Sequence, residues 1–290
     1  MRLRFNYANP MRRFELIEVI IFDKEERERR IKMIKNNIKT NQFHITVPAG
    51  KRLIAKAVIS LEQIKTALEN NTIVIIAGST NGYVAEELLL HIEQIEDFSR
   101  NTFFRGITPG PGKKIDTTGT YFNTDVVIEK GKWSKGKTIF DVAESLGKRD
   151  IIIKGANAID SERMLASIQV RTPSLGPSGP MMQAIIGKRS ELIIPVGLEK
   201  RIFGNIAQVV SKVNSPSTTN GMKMIPVSGT IITELESIEM LTGASAELVA
   251  GGGIFGGEGG SWLAITGTDE QLYTAKNIIN SVVNEPPFGY

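Results

Sequence analysis
Gly78-Ser79-Thr80-Asn81-Gly82 joins an apolar run, Thr72–Ala77, to a stretch of helical character beginning at Tyr83. Small polar residues at such a junction can hold an anion. The first N–H groups of a helix have no intrahelical acceptor, and the helix dipole adds positive potential there. Two glycines let backbone approach a ligand, while Ser79, Thr80 and Asn81 supply hydroxyl and amide groups. A phosphate or carboxylate could be held without any lysine. The same residues would equally serve as a plain helix cap. The spacing is neither the G-x-G-x-x-G dinucleotide fingerprint nor a Walker loop.

Two more apolar runs end in polar residues. One gives Lys154-Gly155-Ala156-Asn157 with Asp160 beyond it, and the other gives Gly197, Glu199 and Lys200. Between them, Ser178 and Gly179 lie in a Gly/Ser/Pro loop that leads into a helix and could cradle a second anion. Strand ends of this kind are where open α/β sheets bind ligands; a strand may also end in polar residues because it has reached solvent. Other groups have the same double reading. Arg105 could fork a carboxylate or phosphate, and Gly50, Lys51 and Arg52 open a helix. Lys113 and Lys114 lie in the loop Pro109–Gly119. Gly251–Ser261, with Glu258, could fold over a ligand or simply link two strands. The chain has two histidines and no cysteine. His44 and His91 read as structural, no metal constellation is found, and no cofactor is expected.

These residues need elements to position them. "TIVIIAG", "DIIIKGA" and "ELIIPVG" are apolar without alternation, as strands covered on both faces are. Helical patterns alternate with them, which predicts a mainly parallel, Rossmann-like α/β sheet with right-handed crossovers. After a polar stretch near Ser215, the order β-α-β-β-α predicts a smaller C-terminal α+β unit, in a ferredoxin-like arrangement. The expected divisions are a charged N-terminal extension over 1–42, a Rossmann-like domain over 43–213 and the small unit over 221–290. The extension could instead reflect a misplaced start, with Met33 as the first residue.

Charge is uneven. The formal net charge is +4, but residues 1–42 alone carry eleven Lys/Arg against six Asp/Glu, so the rest is close to neutral. Nucleic acid is therefore not the expected partner of the body. No apolar run is long enough to span a membrane, and no secretion signal is recognised. With no cysteine, a cytoplasmic location is expected. A homo-oligomer is a general expectation, not a reading of particular residues.

The order of these pieces resembles the superfamily of ribose-5-phosphate isomerase A, glucosamine-6-phosphate deaminase, CoA transferases and DeoR-type effector domains. The resemblance runs over roughly Pro48 to Arg201, through "AGSTNG", "KGANAID" and "GPSGPMMQAIIGKRSELIIPVGLEK". It implies that Gly78–Gly82 binds phosphate and that Lys154, Gly155, Asn157, Asp160, Glu199 and Lys200 surround the reacting part. The chain departs from the isomerase by having Lys154 and Asn157 where that enzyme has acids. Asp160 or Glu199 would then move the proton, with Lys200 beside them. The expected function is binding of a small phosphorylated metabolite by an isomerase- or transferase-like enzyme. The alternative is a non-catalytic sensor of the same ligand.

Overall fold
The computed structural model describes residues 37–105 and 124–288. The expectations for residues 1–36, including Met33, and for the loop carrying Lys113 and Lys114 lie outside the described residues.

The chain begins with β1 (Lys39–Ile45), α1 (Val47–Ser60), α2 (Glu62–Asn70), β2 (Thr72–Ile75) and α3 (Ser79–His91). A hairpin of β3 (Val126–Glu129) and β4 (Lys132–Trp133) follows, then the short α4 (Ile139–Val142) and β5 (Ile151–Ile153). Next come β6 (Ala158–Asp160), β7 (Leu165–Val170), α5 (Ser178–Met182) with a π turn at Gln183–Gly187, and β8 (Glu191–Pro195). After a 3-10 turn at Leu198–Lys200, α6 (Ile206–Val213) leads to β9 (Lys223–Val227), β10 (Thr230–Ile232) and α7 (Glu234–Thr242). β11 (Ser245–Gly251), β12 (Ser261–Gly267) and α8 (Asp269–Val282) complete it.

The result is a mixed α/β protein around a six-stranded sheet of order β10-β8-β5-β2-β3-β4. β10, β8, β5 and β2 are parallel, whereas β3 and β4 are antiparallel additions at one edge. β3 departs from the expected crossover pattern by running against β2, and β4 turns back again to run in the same direction as β2. Lys130 and Gly131 both have positive φ (50° and 76°) and form a two-residue turn. Such a turn folds the chain back on itself, so β4 must run antiparallel to β3.

Side chains alternate across the pleat, which explains why the central strands are apolar throughout. Ile73, Ile75, Ile151, Ile153, Ile193 and Ile232 meet α1, α2 and α3 on one face. Val74, Ile76, Ile152, Leu192, Ile194 and Ile231 meet α4, α5 and part of a second sheet on the other. That second sheet, β6-β7-β9, is antiparallel, and Pro226 sits on its edge strand, where no ladder N–H is lost.

A third antiparallel sheet, β1-β12-β11, begins before residue 43. Residues 221–290 send strands into all three sheets and build no sheet alone. The stretch "KMIPVSGTI" forms two strands, β9 and β10, separated at Ser228-Gly229. There Gly229 lies so close to β8 that a Cβ would stand 2.4 Å from the Leu192 carbonyl oxygen. α1 joins the layers: Ile54, Ala57 and Val58 face the central sheet, while Ala49 and Leu53 face the third. Among the described residues no helix is long and apolar enough to cross a membrane.

Candidate functional site
Parallel strands all end on the same side, so the residues following β2, β5, β8 and β10 share one rim. At the centre is Asn81. Its Nδ2 donates to the carbonyls of Ile76 (2.7 Å) and Ile153 (3.1 Å), tying together the ends of β2 and β5. Its Oδ1 is buried with no hydrogen-bond partner among the described residues. Gly155 passes close by: a Cβ there would stand 3.5 Å from that oxygen and 3.3 Å from the Pro195 carbonyl.

Ser79 and Thr80 open α3, and each hydroxyl accepts from a lysine. Lys51 Nζ, from α1, reaches Ser79 Oγ at 3.3 Å. Lys200 Nζ, from the turn after β8, reaches Thr80 Oγ1 at 3.4 Å. Gly78 is extended, and a Cβ on it would meet only one atom, at 4.0 Å. Gly82 faces inward instead, packed beneath Arg100.

Two carboxylates complete the cluster. Glu199 lies 3.8 Å from Lys200 and folds back over Gly197. Glu234 is the first residue of α7. Thr233 and Glu236 form the capping box of that helix, so Glu234 is free to turn inward. Its Oε2 accepts from the Leu198 N–H at 2.9 Å, and its Oε1 rests against Gly50 of α1.

The electrostatics are tightly coupled. Burial, reinforced by Glu199, pushes Glu234 up to about 7 against the opposing pull of the Leu198 N–H and Lys200. Burial, reinforced by Lys200, brings Lys51 down to about 8 although Glu199 and Glu234 oppose it. Burial also brings Lys154 down to about 8; Asp125 opposes this, while Arg105 and Lys200 add to it. An acid and two amines titrating near neutrality on one rim can exchange protons with a ligand and attract an anion.

Compared with protein-family models, curated proteins and solved structures, the chain matches none.

The residues expected to form a site do not all come together. Gly78, Ser79, Thr80, Asn81, Lys154, Gly155, Glu199 and Lys200 share the rim. Asn157 is exposed and serves the β6–β7 hairpin, its Oδ1 accepting from Gln169 N and its N–H donating to Ser167 O. Asp160 is buried and its carboxylate is committed: it accepts from the N–H groups of Arg163 (3.2 Å) and Ile206 (3.3 Å) and pairs with Arg163. It thereby fixes the turn after β6 and the start of α6. Ser178 and Gly179 begin a five-residue helix, and their N–H groups donate to Leu175 O and Gly176 O of the preceding turn. The rim also contains residues absent from the expected site. Lys51 belongs to the helix start Gly50–Arg52, and Glu234 to a helix whose Thr233 cap and Glu236 are visible in the sequence, while its inward turn is not.

The remaining candidates have other partners. Arg52 pairs with Glu86, Glu87 and Glu285. Arg105 pairs with Asp125, which also accepts from Ala77 N and Ile139 N. His44 bonds the Gly252 carbonyl and lies against Trp262; Glu258 accepts from Gly256 N within its own loop. Among the described residues no cluster of three or more acidic or histidine groups could hold a metal.

Proposed function
We propose that the chain binds a small phosphorylated metabolite, such as a sugar phosphate, and acts on it as an isomerase- or transferase-like enzyme. One observation carries the reading: the Ser79 and Thr80 hydroxyls at the start of α3 are each met by a lysine, with Glu199 and Glu234 beside them. A phosphate entering there would find unpartnered helix N–H groups, two hydroxyls and two cations. Glu234 is the better proton shuttle, because burial brings it near neutrality while its carboxylate is not held by an ion pair. The four adjacent parallel strands support a Rossmann-like ancestry within the isomerase, deaminase and CoA-transferase superfamily. The balanced charge beyond residue 42 and the lack of cysteine favour a cytoplasmic protein with no nucleic-acid partner.

The sensor reading has its own support, since Asp160 is occupied with structural bonds and is not available as a base. Thermal-shift measurements with ribose 5-phosphate, glucosamine 6-phosphate, CoA esters and inorganic phosphate test the site. A ligand at one hundred times its Kd stabilises by about 2.7 kcal/mol. Ser79→Leu and Lys51→Met should abolish the shift; an unchanged shift in both removes this rim from the proposal. Turnover of a bound compound, lost in Glu234→Gln with binding retained, supports the enzyme over the sensor.

A further inference from the structure
Lys154 differs from the other two lysines of the rim. Its backbone N–H donates to Ile193 O at 3.0 Å, extending the β5–β8 ladder and fixing its Cα. Its side chain is half-buried, yet among the described residues its Nζ has no hydrogen bond and no ion pair. The acid that most stabilises its charge, Asp125, is engaged instead by Arg105 and the N–H groups of Ala77 and Ile139. Lys51 and Lys200, in contrast, donate to the hydroxyls of the proposed phosphate cradle.

Resting on that phosphate reading, we infer that Lys154 is a nucleophile that forms a Schiff base with the ligand's carbonyl carbon, so that the substrate class is a phosphorylated aldehyde or ketone. The placement is the one such an amine needs: desolvated, flanked by Arg105 and Lys200, and with no carboxylate in ion-pair contact among the described residues. Burial, Arg105 and Lys200 together keep its ammonium form weakly held. The neutral amine adds its lone pair to the carbonyl carbon, and the former carbonyl oxygen takes a proton. A proton from the Glu234 carboxyl, which burial keeps protonated up to about neutrality, lets the carbinolamine lose that oxygen as water while the C=N bond forms and the nitrogen keeps its own proton as the iminium. The iminium acidifies the neighbouring C–H, whose proton passes to Glu234 or Glu199. Hydrolysis returns the amine, so no oxidant or reductant is consumed. Lys51 and Lys200 would hold the phosphate throughout.

The experiment is reductive trapping on the full chain. Dihydroxyacetone phosphate, glyceraldehyde 3-phosphate and ribose 5-phosphate are each incubated with sodium cyanoborohydride, beside unphosphorylated glyceraldehyde and ribose, and adducts are mapped by mass spectrometry. The expected result is one adduct, on Lys154, at least tenfold above any other lysine with a phosphorylated probe. Lys154→Met should form none, yet still show the thermal shift with inorganic phosphate. Adducts spread over many lysines, centred on Lys51 or Lys200, or formed with no probe overturn the inference. So does loss of the phosphate shift in a folded Lys154→Met, which would make Lys154 a phosphate contact. Equal labelling of Lys154 by phosphorylated and plain carbonyls would keep the covalent step and sink the phosphate reading, so the two failures are distinct. Mapping on the unmodified chain gives its answer even if the variant does not fold.

Discussion
At the scale of single residues, the site depends on what is missing from Gly50. It lies inside α1, where replacing glycine with alanine ordinarily gains about 0.5–1 kcal/mol. Here an added Cβ would stand 2.4 Å from Glu234 Oε1 and 3.1 Å from both Cδ and Cγ. Glu234 is 3% exposed, so its side chain cannot swing into water without disturbing its neighbours and breaking its bond to Leu198 N–H. Gly50→Ala should therefore reverse the usual sign and destabilise by about 1–3 kcal/mol. Urea unfolding reads this directly. With Glu234→Ala added, most of the ordinary helical gain should return, giving a coupling of similar size in the double-mutant cycle. A stabilised Gly50→Ala would mean that Glu234 does not lie against α1. Glu234 shows why part of the site could not be read from sequence. Its type and helix-start position are visible in "TELE", but its partners lie 36 residues upstream at Leu198 and in α1 at Gly50. No local period encodes such a meeting.

At the scale of elements, legibility followed burial on both faces. "TIVIIAG", "DIIIKGA" and "ELIIPVG" read as central strands because neither face meets water, and "AGSTNG" read as a strand-to-helix turn because its small polar residues allow little else. β6 and β7 are not legible, since three- and six-residue strands with mixed polarity resemble loop. The β1–β12 pairing joins residues more than two hundred positions apart, beyond any pattern in a local window. Asp160 shows the same limit: a buried acid near a strand end has the type of a base, and its partners lie outside any local pattern. Its carboxylate joins β6, the Arg163 turn and the first N–H of α6. Asp160→Ala leaves those N–H groups unsatisfied and should cost about 2–4 kcal/mol in urea unfolding. The thermal shift given by a phosphorylated ligand should survive in the folded fraction. Loss of binding with unchanged stability would return Asp160 to the site.

At the scale of the whole molecule, the rim concentrates ionisable groups that folding moves in opposite directions, and this leaves a signature in stability against pH. Glu234 is raised from 4.5 to about 7 on folding. Below 4.5 it is protonated in both states and contributes nothing. Between 4.5 and 7 the folded state holds a proton that the unfolded state has released, so stability falls as pH rises through that window. Lys51 and Lys154 are lowered from 10.5 to about 8. Below 8 both are charged in either state, and the cost of burying them is fully present. Between 8 and 10.5 the unfolded state holds the extra protons, so stability recovers as pH rises. The three groups together place a trough at pH 7–8, where all three are charged in the folded state; an anionic ligand there relieves the two lysines but not Glu234. Difference curves isolate them from every other titrating group. Subtracting urea stability of Glu234→Gln from that of the unsubstituted chain should give a line that falls between pH 4.5 and 7 and is flat above. The same subtraction for Lys154→Met should be flat below pH 8 and rise beyond it. Phosphate binding at pH 8 should take up protons, because a bound anion restores the ammonium forms, and its stabilising effect should weaken as pH climbs further. Parallel curves for all three proteins would mean that these side chains reach solvent, and the convergence of Lys51, Lys154 and Glu234 on one desolvated rim would be lost with them.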